Sequence, residues 1–269
     1  MAQLVKDLMH PGIITCQADM TLGRVAEVLI EQHLHALVVA DRDGRLLGVL
    51  SDFDLMAAEW LSSDAKSLEA MRTMTAGELM TTPLDSVEAG LPACDAAQKM
   101  RAGGTSRLIV MERGKPVGII STSDIVAGMM RARPLARKNV ADVMSRAILV
   151  CREETPLCSV ARAMTDAQYR SVLVVDAMGR PLGVVSGFDM LAYCGEDGCA
   201  EATAGQAMHE MLTIRPDASL REAADMMIQH HHHRLVVVDP EENEAMPVGM
   251  ISTFDIVFEM AHPSSVWQE

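Results

Sequence analysis

A seven-residue motif occurs four times in the chain and constrains its fold more than any other feature. The motif is Gly, two aliphatic residues, Ser, two variable residues and Asp, and its copies begin at residues 48, 118, 183 and 249. The copies are therefore about 65 to 70 residues apart, which is the length of one small structural unit. A chain with this pattern is built from four tandem copies of one unit.

Each unit shows the same order of predicted elements around the motif. It opens with a short apolar segment ending in Met9, Met80, Met144 or Met208, and a short strand follows. Next comes an amphipathic helix, whose apolar face is Leu22, Val25, Ala26 and Leu29 in the first unit. The second, third and fourth units repeat this spacing from Ala93, Leu157 and Leu220. A β-branched strand, a turn, the motif strand and a second helix complete each unit. The prediction is an α/β (α+β) fold of four β-α-β-β-α units.

The units are expected to pair, because two strands and two one-faced helices cannot bury both faces of a small sheet. A basic, Pro-containing segment from Arg131 to Lys138 separates the second unit from the third. We therefore expect two modules at residues 1-132 and 133-269. The unit boundaries are predicted at about 1-62 and 74-132 in the first module and 138-198 and 203-262 in the second.

Composition and charge limit the classes of partner. The chain has 23 basic and 37 acidic residues and a formal net charge of −14. Such a surface repels a phosphate backbone, so nucleic acid is not an expected partner. No apolar run approaches the roughly 20 residues needed to span a bilayer, and the start lacks a signal-peptide pattern. The expectation is a cytoplasmic protein without membrane association.

No catalytic apparatus is visible in the sequence. A P-loop, a supported Ser-His-Asp arrangement and a paired Cys-His metal signature are all missing, so no enzyme activity and no catalytic cofactor are predicted. The run from His230 to His233 invites a metal interpretation, but consecutive side chains at a helix end point in different directions. A solvated helix end is favoured over a metal site.

The four in-register copies, together with their matched helices, resemble the CBS domain family over nearly the whole chain. CBS domains work as pairs called Bateman modules, so the resemblance implies two such modules. It also implies an arrangement similar to the gamma subunit of AMP-activated protein kinase. The implied role is regulation of a partner through adenosine-containing ligands bound between paired units.

The motif itself suits such a ligand. A carboxylate accepts hydrogen bonds from both ribose hydroxyls, and a hydroxyl at a helix start suits a phosphate oxygen. The candidate ribose-binding residues are Asp54, Asp124, Asp189 and Asp255, and the hydroxyls beside them are Ser51, Ser121, Ser186 and Ser252. The alternative is that Ser and Asp only cap the helix, as a capping box does. The recurring Gly is taken to favour a ligand, because a cap alone does not require it.

Two further positions carry candidate ligand contacts. The resemblance implies that Thr15 serves Asp124, that Ser86 serves Asp54 and that Thr213 serves Asp189; Val150 stands at this position in the third unit. Just before or at the next strand, every unit offers a basic group that suits phosphate. These groups are His35, Arg107, Arg170, His233 and Arg234.

The predicted ligand is an adenine nucleotide (AMP, ADP or ATP), and Mg²⁺ is left open as an accompanying ion. The predicted partners are this small-molecule nucleotide, a regulated protein of unknown identity and a second copy of the chain in a homodimer. Two alternatives remain. One is a CBS scaffold for assembly with little ligand binding, and the other is a binder of S-adenosylmethionine.

Overall fold

The four predicted repeats share one order of helices and strands. The computed structural model describes residues 3–60, 73–130, 138–193, 202–241 and 246–261. Repeat 1 contains α1 (Val5–Leu8), β1 (His10–Pro11), β2 (Thr15–Gln17), α2 (Leu22–Glu31), β3 (Ala36–Ala40), β4 (Leu46–Ser51) and α3 (Asp52–Trp60). Repeat 2 contains α4 (Ala76–Leu79), β5 (Ser86–Glu88), α5 (Ala93–Gly103), β6 (Arg107–Glu112), β7 (Lys115–Ser121) and α6 (Thr122–Met130).

The second half repeats this order. Repeat 3 contains α7 (Val140–Val143), β8 (Val150–Cys151), α8 (Leu157–Asp166), β9 (Ser171–Val175), β10 (Pro181–Ser186) and α9 (Gly187–Leu191). Repeat 4 contains α10 (Ala204–Ala207), β11 (Thr213–Ile214), α11 (Leu220–Gln229), β12 (Arg234–Val238), β13 (Pro247–Ser252) and α12 (Thr253–Met260). The predicted α+β fold of four β-α-β-β-α units is confirmed.

Each repeat forms a small mixed sheet. In repeat 1, β2 runs parallel to β3, and β3 runs antiparallel to β4. A parallel pair needs a long crossover, and α2 supplies it. The same pairing recurs in the other repeats: β5 with β6 and β7, β8 with β9 and β10, and β11 with β12 and β13.

The predicted apolar helix faces are the faces that point into the core. Leu22, Val25 and Leu29 of α2 are buried, and Ala26 is half-buried. The four predicted positions of α5, α8 and α11 are all buried, which confirms the helical periodicity. α5 is the longest helix of the described ranges, with 11 residues. No helix in these ranges is long and apolar enough to cross a membrane.

The opening segment of every repeat packs on the neighbouring repeat. His10 of repeat 1 lies antiparallel to Ile119 of β7, and Thr81 of repeat 2 forms a bridge with Val49 of β4. The second half shows the same exchange, with bridges Ser145–Met250 and Val184–His209. Repeats 1 and 2 therefore exchange their opening segments, and so do repeats 3 and 4.

The chain divides into two compact units, each drawn from both halves. Unit 1 is Met1–Ile13, Asp85–Ala147 and Leu212–Glu269, and unit 2 is Ile14–Leu84 and Ile148–Met211. Unit 1 thus joins the bodies of repeats 2 and 4, and unit 2 joins those of repeats 1 and 3. The modules predicted at residues 1-132 and 133-269 group repeats that are neighbours along the chain, and they stay a prediction.

The motif helices pack in pairs inside each unit. In unit 1, α6 packs on α12, and the buried hydroxyls of Thr122 and Thr253 lie 3.1 Å apart. In unit 2, α3 packs on α9, where Gly187 lies against the backbone of Phe53. Within each unit, the N-terminal ends of the two paired helices are therefore adjacent. These ends carry the motif Asp residues.

Candidate functional site

The Ser and Asp of all four motifs form a capping box at the start of the second helix of their repeat. The Ser hydroxyl donates to the carboxylate Oδ2 at 2.5–2.6 Å, and the Ser backbone N–H donates to the same atom at 2.7–2.8 Å. In repeats 1, 2 and 4, the Asp backbone N–H donates to the Ser Oγ at 3.3 Å. Ser and Asp thus cap the second helix in every repeat.

The cap uses only one oxygen of each carboxylate. Since Oδ2 accepts both hydrogen bonds from Ser, Oδ1 stays outside the capping box at every motif. A carboxylate has about four acceptor positions on its two oxygens. Capping and ligand binding by Asp54, Asp124, Asp189 and Asp255 are therefore compatible rather than exclusive.

The recurring motif Gly has a packing reason, which corrects the sequence argument that it favours a ligand. A Cβ on Gly249 would lie 2.6 Å from the Met144 sulfur and 2.9 Å from the Ser145 carbonyl oxygen. Gly48, Gly118 and Gly183 meet the equivalent Met and the carbonyl of the next residue in the same way. The recurring Gly leaves space for the recurring Met, because the opening segment runs antiparallel to the motif strand and packs on it at this point.

Within the described ranges, the carboxylates of Asp124 and Asp189 each contact a histidine. The Nε2 atom of His10 lies 2.8 Å from Oδ1 of Asp124, and the Nδ1 atom of His209 lies 2.9 Å from Oδ2 of Asp189. Sequence reasoning missed both residues. The available signal was their position, because each directly follows the repeated Met of its opening segment.

The pKa shifts of two equivalent carboxyls have opposite signs. Burial alone would raise the pKa of Asp189, but the hydrogen bond and charge of His209, with the hydrogen bonds from Ser186, lower it below its ordinary value. Burial raises the pKa of Asp255, and the bonds from Ser252 and the charge of Arg234 offset this only in part. The four motifs are thus electrostatically unequal.

The basic candidates of unit 2 contact protein groups. His35 Nδ1 lies 2.8 Å from Oδ2 of Asp52 in the motif of its own repeat, and its ring is 4.9 Å from that of Phe188 in repeat 3. Arg170 of repeat 3 stands over the ring of Phe53 in repeat 1, at 5.3 Å. Both basic groups therefore help to join the two repeats, and a role with phosphate stays a prediction.

The basic candidates of unit 1 lie close to the motifs. His233 Nδ1 is 3.0 Å from the Ser123 hydroxyl of repeat 2. Arg107 opens β6 directly opposite Ser121, and Arg234 opens β12 directly opposite Ser252. The equivalent residues of unit 2, beside Ser51 and Ser186, are the small Ala36 and Ser171. At the position opposite the motif Ser, repeats 2 and 4 carry arginine and repeats 1 and 3 carry a small residue.

The hydroxyl candidates occupy equivalent places on the first strands. Thr15, Ser86 and Thr213 are paired with Val38, Ile109 and Val236 of the adjacent parallel strands, and Val150 is paired likewise with Leu173. Val150 is 51% exposed, although it is apolar. The three predicted hydroxyl–carboxylate pairs stay predictions.

The histidine run lies at the end of α11. His230 is the residue that follows the helix, and His231 has a positive φ of 56°. Within residues 3–60, 73–130, 138–193, 202–241 and 246–261, no group of three or more His, Cys, Asp or Glu side chains is placed to hold a metal ion.

Comparison with known proteins finds one recurring domain. The sequence profile described as "CBS domain" matches residues 5–61, 76–131, 140–196 and 204–262. Protein MJ1404 of Methanocaldococcus jannaschii is 24% identical over 272 residues, covering 94% of this chain and 61% of MJ1404. The CBS domain-containing protein DDB_G0289609 of Dictyostelium discoideum is 30% identical over 131 residues, covering 47% of this chain and 90% of its own length. The chain thus spans less than two thirds of MJ1404.

Two solved structures share the fold over nearly the whole chain. Protein MJ1225 of Methanocaldococcus jannaschii, described as a proposed archaeal homologue of g-AMPK, has a TM-score of 0.82 at 17% identity and is covered over 99% of its length, with 95% of this chain aligned. A conserved protein from Pyrococcus horikoshii has a TM-score of 0.64 at 21% identity, with 95% and 98% of the two chains covered. At these identities the likeness establishes the fold.

Proposed function

Since the chain belongs to the CBS-domain family, we propose that it is a regulatory protein that binds adenosine-containing ligands at its motif carboxylates and controls a partner protein. CBS-domain proteins are generally regulatory rather than catalytic, and the proposal assigns no enzyme activity to this chain. The preferred ligands are AMP, ADP and ATP.

The observation that carries the proposal is the fixed carboxylate at each motif. Ser51 holds Oδ2 of Asp54 with two hydrogen bonds, and the other three motifs do the same. A carboxylate whose orientation is already set loses little conformational freedom when it binds a ribose. Adjacent ribose hydroxyls are two donors, which suits the acceptor positions that the cap leaves.

A phosphorylated ligand is favoured at repeats 2 and 4. Arg107 and Arg234 lie opposite the motif Ser of these repeats, and an arginine side chain can bind a phosphate with two parallel hydrogen bonds. The two positive charges also stand in a chain that is otherwise strongly acidic. Repeats 1 and 3 have no arginine at this position.

An adenosyl compound without phosphate, such as S-adenosylmethionine, is the second candidate. It is favoured by the contacts of His35, Arg170 and His233, which already bind protein groups. The two candidates differ in their dependence on charge. If phosphate is recognised, Arg107→Gln and Arg234→Gln weaken AMP binding; if it is not, both variants leave ligand affinity unchanged.

Regulation requires that the ligand binds one arrangement of the protein better than another. The regulated partner, a homodimeric assembly and an accompanying Mg²⁺ ion are parts of this proposal. A scaffold with little ligand binding is its rival. The two are separated by scattering and sedimentation with and without ligand, because a pure scaffold changes neither profile.

A thermal-shift panel with AMP, ADP, ATP and S-adenosylmethionine tests the proposal. A ligand at 100 times its Kd adds about 2.7 kcal/mol to the free energy of unfolding. The panel is repeated on Asp→Asn variants of the four motifs, because Asn keeps an oxygen acceptor for the cap. The proposal predicts a shift that shrinks in at least one variant, and no shift with any of the four compounds would refute it.

A further inference from the structure

The residue after the repeated Met differs among the repeats in an informative way. It is His10 in repeat 1, Thr81 in repeat 2, Ser145 in repeat 3 and His209 in repeat 4. All four pair with the motif strand of the neighbouring repeat, next to the motif Gly. The same backbone position therefore carries an imidazole in repeats 1 and 4 and a hydroxyl in repeats 2 and 3.

His10 contacts Oδ1 of Asp124, the carboxylate oxygen that takes no part in the capping box. Ser121 donates to Oδ2 at 2.6 Å, and His10 Nε2 lies 2.8 Å from Oδ1. The Asp124 side chain is 11% exposed, whereas that of His10 is 74% exposed. The carboxylate is thus fixed and shielded, while the imidazole is free to move away into solvent.

His209 of repeat 4 makes a similar contact with Asp189 of repeat 3. Its Nδ1 lies 2.9 Å from Oδ2, the same oxygen that accepts from Ser186. The histidine side chain is 40% exposed and that of Asp189 is 18% exposed. For Asp54, the described residues supply no such donor beside the cap from Ser51.

We infer that His10 sets the ligand affinity of the Asp124 motif, because its imidazole must be displaced from Oδ1, the oxygen that the cap leaves, before ribose hydroxyls can bind there. This inference rests on the proposed function. Asp124 then binds adenosine-containing ligands more weakly than Asp54. His209 contacts Oδ2 of Asp189 and leaves Oδ1 of that carboxylate outside its contact, so the inference does not extend to repeat 3.

The experiment isolates one motif at a time. In a chain with Asp54→Asn, Asp189→Asn and Asp255→Asn, Asp124 alone remains, and AMP and S-adenosylmethionine affinities are measured by calorimetry. His10→Thr introduces the residue found at position 81. It should raise the affinity roughly fivefold, the scale of one net hydrogen bond.

The reverse substitution tests the same idea with opposite sign. In a chain that retains only Asp54, Thr81→His should lower the affinity for the same probe. His230→Thr is the matched control, because His230 is exposed and lies outside the four motifs. It should leave both affinities unchanged.

Two results would overturn the inference while leaving the proposed function intact. If His10→Thr weakens binding at Asp124, then His10 is a ligand contact; if it has no effect, then His10 does not compete. Failure of both probes to bind the native chain is a different result, and it would refute the proposed function together with the inference.

Discussion

Substitution of Gly249 by Ala should destabilise the protein, because two groups of the opening segment occupy the space of the new methyl group. The Cβ would lie 2.6 Å from the Met144 sulfur and 2.9 Å from the Ser145 carbonyl oxygen. The methionine side chain is flexible and can move. The carbonyl cannot move freely, since it accepts a hydrogen bond from the Met250 N–H at 2.9 Å.

The expected cost is that of overpacking, about 1–3 kcal/mol. For a chain of this size, each kcal/mol lowers Tm by roughly 2–4 °C. Urea unfolding should show a lower midpoint with an unchanged m-value. Gly23→Ala is the control, because nothing lies within 4 Å of its Cβ in helix α2, and it should stabilise by up to about 1 kcal/mol. A Gly249→Ala protein as stable as the native chain would refute the proposed reason for the recurring Gly.

Two further predictions concern the motif helices. Asp189→Asn should destabilise the protein more than Asp255→Asn at pH 7, and the difference measured by urea unfolding should shrink as the pH falls below 3.8, the ordinary pKa of Asp. Because folding lowers the pKa of Asp189, this group stabilises the folded state at pH values above its unfolded pKa, and the stabilisation is lost as the pH falls through the folded pKa. Folding raises the pKa of Asp255, so this group opposes folding at high pH. Equal effects of the two substitutions at pH 7 would contradict the prediction. Thr253→Val should cost about 1–3 kcal/mol because it removes the buried hydroxyl 3.1 Å from that of Thr122, and the double variant with Thr122→Val should recover most of the loss. A double variant at least as unstable as the sum of the single ones would show that the two hydroxyls act separately.

The sequence predicts the repeats and their elements well, because local periodicity determines them. Leu22, Val25 and Leu29 lie on one face of a helix by spacing alone, and the structure buries all three. The Ser and Asp of the motif are three residues apart, so their capping geometry is also local. Features of this kind can be read from one chain.

The contacts that make the motifs unequal are not local. His10 and Asp124 are more than a hundred residues apart, and they meet only because repeats 1 and 2 exchange their opening segments. The packing of Met144 against Gly249 depends on the same exchange in the second half. One sequence shows that both residues recur, but it does not show that they are in contact.

The basic groups illustrate the same limit. Their position before the strand is visible in the sequence, and phosphate is a reasonable partner for each. The structure places Arg170 on Phe53 and His35 beside Asp52, and a role of either group with phosphate stays a prediction. These contacts join repeats 1 and 3, which are separated along the chain by a whole repeat.

Hydrogen-exchange mass spectrometry with and without AMP tests the central claim most directly, namely that adenosine-containing ligands bind at the motif carboxylates. The account predicts slower exchange at the start of α3, α6, α9 or α12 when AMP is bound. It also predicts that this protection disappears in the variant whose motif Asp at that helix is changed to Asn. Saturating AMP binding that leaves the exchange of all four helix starts unchanged would contradict it.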